Sequence, residues 1–336
     1  MKKLIALSIA LLMGADPVSA ASTLDSNVSL PDLTARSYSM GGADARVIGA
    51  GVTEGGLHLN SSNFVHSETR PNGALKLRWE TETLLLDIRH GFRVKSLPVE
   101  VGMQVSAYKD ASGFQNGFIE SVEKLVGASN DVRLDPTIPH GESFIRNGQV
   151  VRSYERRGSG VGDVLLSVKT ELFKSDRLGV AVRGVLNLDT GARVTSKGKY
   201  AGMAVTGAYR AADKWTLNGD LRATLPLERH DPMELPLAHV AFGATMGVAY
   251  AWSPHTSLVA QIDTTQSAYK NTGFTSYDAA HGGISLGINH IGKNWIMGKD
   301  VLIQGYLREN FQPSPIRLIN NSDSDFQLGV RTVVQF

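Results

Sequence analysis

The chain closes on a strict alternation. Phe326, Leu328, Val330, Thr332, Val334 and Phe336 are apolar or small, and Gln327, Gly329, Arg331, Val333 and Gln335 fall between them. A period of two places each set on its own face of a β-strand. A last strand that is oily on one face, polar on the other and aromatic at its end is the pattern of an outer-membrane barrel. A strand of a soluble sandwich has the same local pattern, so the reading depends on repetition along the chain.

The pattern recurs. Two-sided segments fall at 73 to 81, 83 to 93, 98 to 109, 161 to 173, 177 to 188, 199 to 211, 214 to 226, 238 to 253, 255 to 267, 281 to 291, 300 to 310 and 325 to 336, twelve in all. The connections between them alternate in length. Lys174 to Arg177, Ala211 to Lys214 and Ser253 to Thr256 are tight turns rich in Asp, Ser, Lys and Pro. The stretches 110 to 160, 189 to 198, 227 to 237, 268 to 280 and 311 to 324 are longer and polar. Outer-membrane barrels keep short turns in the periplasm and long loops outside, which orients the chain. The first hairpin must turn at Trp79-Glu80-Thr81-Glu82 without glycine, so ten to fourteen strands satisfy the pattern. The expected fold is all-β: one transmembrane antiparallel up-and-down barrel of about twelve strands.

Composition fits. Met1-Lys2-Lys3, the apolar run Leu4 to Met13 and the small residues Val18-Ser19-Ala20 read as a signal peptide over 1–20, since the run is about half the ~20 residues of a spanning helix. Removing Lys2, Lys3 and Asp16 lowers the formal charge from +2 to +1, which gives no case for nucleic-acid binding. The absence of cysteine excludes disulfides and thiolate chemistry. Residues 21–72 are expected to form a periplasmic leader or a segment that plugs the lumen, and 73–336 the barrel, with an extracellular insertion at 110–160.

Alternation also assigns the faces. Val164, Leu166, Val168 and Leu172, then Leu217, Leu221 and Leu225, then Val240, Phe242, Met246, Val248, Tyr250 and Trp252 make lipid-facing sets, the last ending on interfacial aromatics. The opposite set holds Lys76, Arg78, Glu80, Asp87, Arg89, Glu100, Lys169, Glu171, Arg183, Asp220, Arg222, Asp263, Arg308 and Arg331. A charge in lipid near the midplane costs ~2–4 kcal/mol, so these must point inward. Gly202, Ala204, Gly243, Gly247, Ala249, Ser285 and Gly287 on the same face are expected to leave room in the lumen.

The insertion carries an amphipathic helix, with Phe114, Phe118, Ile119, Val122, Leu125 and Val126 on one face. A hairpin follows, Ser143 to Arg146 and Gln149 to Tyr154, turning at Asn147-Gly148. The helix is read as a lid or membrane-surface element, or as an ordered loop that buries its own apolar face on the rim.

These loop residues carry a resemblance. Trp79-Glu80-Thr81-Glu82, then Gly113 to Glu120, Arg133, Pro136 and Ser159-Gly160-Val161-Gly162-Asp163 resemble an uncharacterised proteobacterial outer-membrane family designated only as a domain of unknown function. The likeness runs from about Gly56 to Phe336 and implies a barrel in the outer membrane, with no activity attached. Met40-Gly41-Gly42-Ala43 is similar to N-terminal segments of outer-membrane transporters for fatty acids and aromatics, which implies a hatch inside the barrel and a hydrophobic cargo.

No phosphate loop, zinc-protease helix or haem attachment motif is present, and the histidines are scattered. A lipid-modifying enzyme would need His230-Asp231 or His281 as base and Ser143 or Ser159 as nucleophile, and no nucleophile motif accompanies them. The chain is therefore read as a non-enzyme without metal or cofactor. Its expected role is a narrow channel or binding barrel for a small solute, lined by Arg89, Arg183, Arg222, Glu171, Asp220 and Asp263. The alternatives are a hydrophobic-cargo transporter, a lipid-modifying enzyme and a structural barrel that anchors a partner. Expected partners are outer-membrane lipid, lipopolysaccharide phosphates at Arg152, Arg156 and Arg157, the barrel-assembly machinery at Phe336, and a lipoprotein.

Overall fold

The computed structural model describes residues 45–71, 73–110, 115, 117, 121, 141–154, 158–191, 198–230, 236–274, 278–311 and 326–336. Its strands are β1 (Thr53–Arg70), β2 (Gly73–Val94), β3 (Leu97–Asp110), β4 (Gly141–Arg146), β5 (Gln149–Tyr154), β6 (Ser159–Lys174) and β7 (Leu178–Leu188). They continue with β8 (Tyr200–Ala212), β9 (Trp215–Pro226), β10 (Ala241–Ser253), β11 (Thr256–Thr265), β12 (His281–Ile296), β13 (Lys299–Phe311) and β14 (Phe326–Gln335).

Twelve of these close a barrel. Each pairs antiparallel with its neighbours in the order β1-β14-β13-β12-β11-β10-β9-β8-β7-β6-β3-β2, and β1 pairs with β2 to complete the ring. Closure leaves no unpaired edge in the membrane, which is what permits strands to span it. The remaining hairpin, β4–β5, hangs outside the ring on β2, with Gly73 opposite Arg146 and Arg78 opposite Gly141. It turns at Asn147 (φ 51°) and Gly148 (φ 74°), the left-handed pair its Asn-Gly sequence requires.

β1 begins and β14 ends at the end of the barrel that carries the tight turns. The carbonyl of Phe336 accepts from the Thr53 N–H at 3.3 Å, and the Phe336 N–H donates to Thr53 O at 2.8 Å. By the short-turn rule this end is periplasmic. The outer face is apolar through the middle of the wall: Leu57, Leu59, Leu84, Leu86, Ile88, Leu221 and Met246 are exposed, the last at 70%. With charged residues buried on the other face, this wall belongs in lipid, and the protein is an outer-membrane β-barrel.

The count of twelve agrees with the sequence, but its first two members differ. Residues 73 to 94 form one strand with no turn at Trp79-Glu80-Thr81-Glu82, and the barrel begins at Thr53, inside the segment assigned to a leader or plug. The reason lies in β1, whose Gly55, Gly56, His58, Asn60, Ser61, Ser62 and Asn63 offer only Leu57 and Leu59 to the lipid face. It holds its place by an unbroken register with β2, from Thr53 opposite His90 to Arg70 opposite Gly73. Its pairing with β14 stops at Asn63 opposite Phe326, so the upper halves of β1 and β2 rise above the ring.

Unbroken alternation also corrects three faces. Lys76, Arg78 and Glu80 share the face of Glu82, Leu84, Leu86 and Ile88, so they stand outside the lumen, above the lipid band. Glu80 is nevertheless buried, because Asn63 Nδ2 donates to it at 3.3 Å and the Gln115 N–H donates to both carboxylate oxygens at 3.3 and 3.4 Å. Gln115, Gly117 and Ser121 are helical, and the rest of the expected helix lies outside the described residues. So do residues 1–44, Asp231, Arg156 and Arg157.

Candidate functional site

The polar side chains of the lumen gather into two charged clusters on opposite walls. The lower one belongs to β14, β1, β2, β3 and β6. Glu54, nearly unexposed at 1%, receives Arg46 Nη2 at 2.8 Å, Arg89 Nη2 at 3.0 Å and Gln335 Nε2 at 2.6 Å. Asp87 meets Arg89 Nε at 3.1 Å and Arg331 Nη2 at 3.3 Å. Glu100 meets Lys169 Nζ at 3.1 Å and stands 3.9 Å from Arg89 Nη1. Alternation aims each of these strand residues inward. Coulomb attraction in a poorly hydrated interior makes each carboxylate draw more than one cation.

A short strap completes this cluster from inside the barrel. Ala45 and Ile48 are buried, and the Ile48 N–H donates to Glu100 Oε2 at 3.1 Å. The strap passes so close to β2 that a Cβ at Gly91 would stand 2.4 Å from the carbonyl oxygens of both Ile48 and Gly49. Three strands along the ring, Ala45 Cβ lies 3.7 Å from where a Cβ of Gly179 on β7 would be. Residues 45 to 49 thus follow the inner wall from β7 to β2 at the periplasmic mouth and narrow it.

The upper cluster belongs to β9, β10, β11 and β13. Arg222 Nη1 donates to Asp220 Oδ1 at 2.9 Å and Thr245 Oγ1 at 2.7 Å, and Nη2 donates to Thr265 Oγ1 at 2.8 Å. Arg308 grips Asp263 as a fork, one of its two bonds measuring 2.9 Å. Two of the glycines expected to leave space, Gly243 and Gly247, are places that long side chains fill. A Cβ at Gly243 would meet Arg222 Nε at 2.6 Å, and one at Gly247 would meet Asn218 Oδ1 at 2.4 Å. Between the clusters Tyr306 lies over Gly329 in the same way, with its Oη 3.1 Å from His58 Nε2 and donating to Asn60 Oδ1 at 3.4 Å.

Of the six lining residues chosen from sequence, Asp220, Arg222 and Asp263 come together in the upper cluster, and Arg89 is the hub of the lower one. Arg183 is half-buried on β7, directly opposite Lys169. Glu171 is half-buried near the periplasmic end of β6, 4.0 Å from Lys174 Nζ. Sequence reasoning missed Arg46 and Glu54, which lie in the stretch read as leader. The signal was faint: Glu54 sits one alternation below Gly56 and two below His58, and only the register with β2 makes that visible.

One side of the upper lumen carries an apolar patch. Leu165, Val185, Tyr200, Ala204 and Ala241 point inward from β6, β7, β8 and β10 and form one buried cluster with Ala268. The residues weighed for catalysis are spread over separate elements: Ser143 on β4, Ser159 at the start of β6, His230 in the β9–β10 connection and His281 at the start of β12. Among the described residues no three His, Asp or Glu side chains gather as a metal site.

Residues 98–331 match the family model described as "Putative MetA-pathway of phenol degradation", and the chain belongs to that family. The match does not extend to the designation that the loop residues suggest. No curated protein matches the sequence. An outer membrane channel from Pseudomonas putida F1 is 14% identical, with 88% of this chain and 98% of that one covered and a TM-score of 0.58, a likeness of fold. The NanC porin is 7% identical over 83% of this chain and 98% of its own, with a TM-score of 0.43. The Pseudomonas putida toluene transporter TodX is 11% identical over 96% of this chain and 97% of its own, with a TM-score of 0.41. Neither of these two bears on the argument.

Proposed function

We propose that this member of the phenol-degradation MetA-pathway family is a channel that admits a small solute through a narrow charged lumen. The observation that carries the reading is the pair of buried charge clusters on opposite walls: a solute must pass between them, and fixed charges inside a low-dielectric wall select by sign. The six residues Arg89, Arg183, Arg222, Glu171, Asp220 and Asp263 are assigned to that selection. The family's description supports a small aromatic bearing a polar group as the solute, whose ring suits the apolar patch of the upper lumen and whose hydroxyl or carboxylate suits the clusters.

A second reading, a hydrophobic cargo admitted past an N-terminal hatch, is favoured by the strap at residues 45 to 49. Arg152 on β5, with Arg156 and Arg157, is assigned to lipopolysaccharide phosphates. The strand ending at Phe336 is assigned to the assembly machinery.

The test is single-channel current in planar bilayers. Arg222→Gln removes a cation from the upper cluster and should shift the reversal potential under a salt gradient toward cation selectivity. An unchanged reversal potential would remove electrostatic selection from the account.

A further inference from the structure

We propose that the β11–β12 loop is an extracellular gate: residues 266 to 274 reach over the mouth of the barrel, seat against an apolar patch of the upper lumen and swing out to admit solute. This rests on the channel reading above and names the element that regulates it.

The topology supplies the argument. Around the twelve-stranded ring, β2 lies five strands from β11 in one direction and β6 five strands in the other, so both stand across the barrel from the loop's root. The loop meets chain carried by β2, across the opening from its root. Ala268, exposed at 1%, belongs to the buried cluster that runs along the wall from Ala241 on β10, beside the root, to Leu165 on β6. Phe274 reaches the other side, where its Cζ lies 3.1 Å from the Cβ position of Gly73 and its ring centroid 5.0 Å from that of Phe144 on β4. Leu75 of β2 and Phe144 are themselves buried. Phe274 thus bridges the opening from the root at β11 to the extension that β2 and β4 carry above the ring.

The finger is compact enough to move as one body. The Thr272 N–H and Oγ1 donate to Asp278 at 3.0 and 2.9 Å, the Phe274 N–H donates to Thr272 Oγ1 at 3.2 Å, and Asn271 (φ 59°) and Gly273 (φ 89°) make the tight reversal. Its side-chain seats at Ala268 and Phe274 are apolar, and two backbone bonds, from the Ala238 N–H to Ala268 O and from the Lys270 N–H to Pro236 O, must part for it to leave. Apolar contact is non-directional and strands no charge when it parts, unlike the ion pairs at the periplasmic end.

A lock can be built, since the chain has no cysteine. Leu237 and Tyr269 face each other as an isolated bridge, flanked by hydrogen bonds from the Ala238 N–H to Ala268 O and from the Lys270 N–H to Pro236 O. That is the non-hydrogen-bonded antiparallel pair, whose Cα separation of about 4.5 Å accepts a disulfide. Leu237 is four residues from the first residue of β10, so the bond ties the loop to the wall.

Three variants are recorded in planar bilayers, with folding checked by heat-modifiable mobility. Replacement of residues 268 to 274 by a Gly-Ser pair should give a continuously open channel. Leu237→Cys/Tyr269→Cys should be silent when oxidised and regain parental openings on reduction. Phe274→Ala should raise the open fraction several-fold. If the shortened loop conducts while the oxidised and reduced pair are alike and Phe274→Ala is parental, the loop is fixed filler and the gate is wrong. If the shortened loop also carries no current, the passage itself is wrong and the gate falls with it.

Discussion

Arg308 and Asp263 face each other inside the wall with side chains only 6% and 3% exposed, joined by two parallel bonds. Burying such a pair gains little over an apolar pair of the same volume, but removing one partner leaves a charge with neither water nor counter-ion. Arg308→Met should therefore lower stability by about 3–5 kcal/mol, and the double change Arg308→Met/Asp263→Leu should recover most of that loss. Thermal unfolding in detergent micelles reads both. A double variant as unstable as the single one would mean that the fork supports the wall in some way other than by neutralising Asp263. Glycine is the other decisive residue. At Gly243, Gly247 and Gly329 the missing side chain makes room for Arg222, Asn218 and Tyr306 from neighbouring strands. A glycine opposite a long side chain marks a filled lumen, a pairing the sequence read singly could not show.

At the scale of the strand, alternation was a sufficient guide wherever one face met lipid. From β3 and β6 through β14 the segments read from sequence fall within a few residues of the observed strands, because Leu, Val, Ile and aromatics on every second position leave one register that buries no charge in lipid. The Asn147-Gly148 hairpin was equally legible from its turn chemistry. β1 was not. Its lipid face is short, and the strand is specified by hydrogen bonds to β2 and β14 that join residues far apart in the chain. Losing β1 forced an extra turn into β2, which in turn misassigned Lys76, Arg78 and Glu80. The corrected faces make a direct prediction. Leu86→Arg and Met246→Arg place a charge on the lipid side and should each cost about 2–4 kcal/mol near midplane. Glu82→Arg, on the same face as Leu86 but above the band, should cost about 1 kcal/mol or less. Equilibrium unfolding in urea from lipid vesicles separates the two classes, and equal losses at Leu86 and Glu82 would contradict the assigned faces.

For the whole molecule, chain that does not belong to the wall stands at both ends of the lumen, and the two pieces are held by different physics. The extracellular loop is seated on apolar contacts and two backbone bonds to residues 236 and 238, whereas the periplasmic strap is tied by charge, through Arg46 to Glu54 and through the Ile48 N–H to Glu100. The strap's fit over Gly91 allows it to be displaced without disturbing the wall. A Cβ there would collide at 2.4 Å with two backbone carbonyl oxygens, which cannot rotate aside as a side-chain end can, so Gly91→Ala must push the strap inward or out. The wall keeps its own pairs when the strap leaves. Glu54 retains Arg89 and Gln335, and Glu100 retains Lys169. The Gly91→Ala barrel should accordingly unfold close to the parental temperature while its periplasmic mouth widens and its single-channel conductance rises. Gly102→Ala is the matched control: it also faces the lower lumen, but the atom it meets first is the rotatable Ser167 Oγ at 2.7 Å. If the two glycine variants carry the same current, residues 45 to 49 do not set the width of the passage, and the constriction must be assigned to the charge clusters alone.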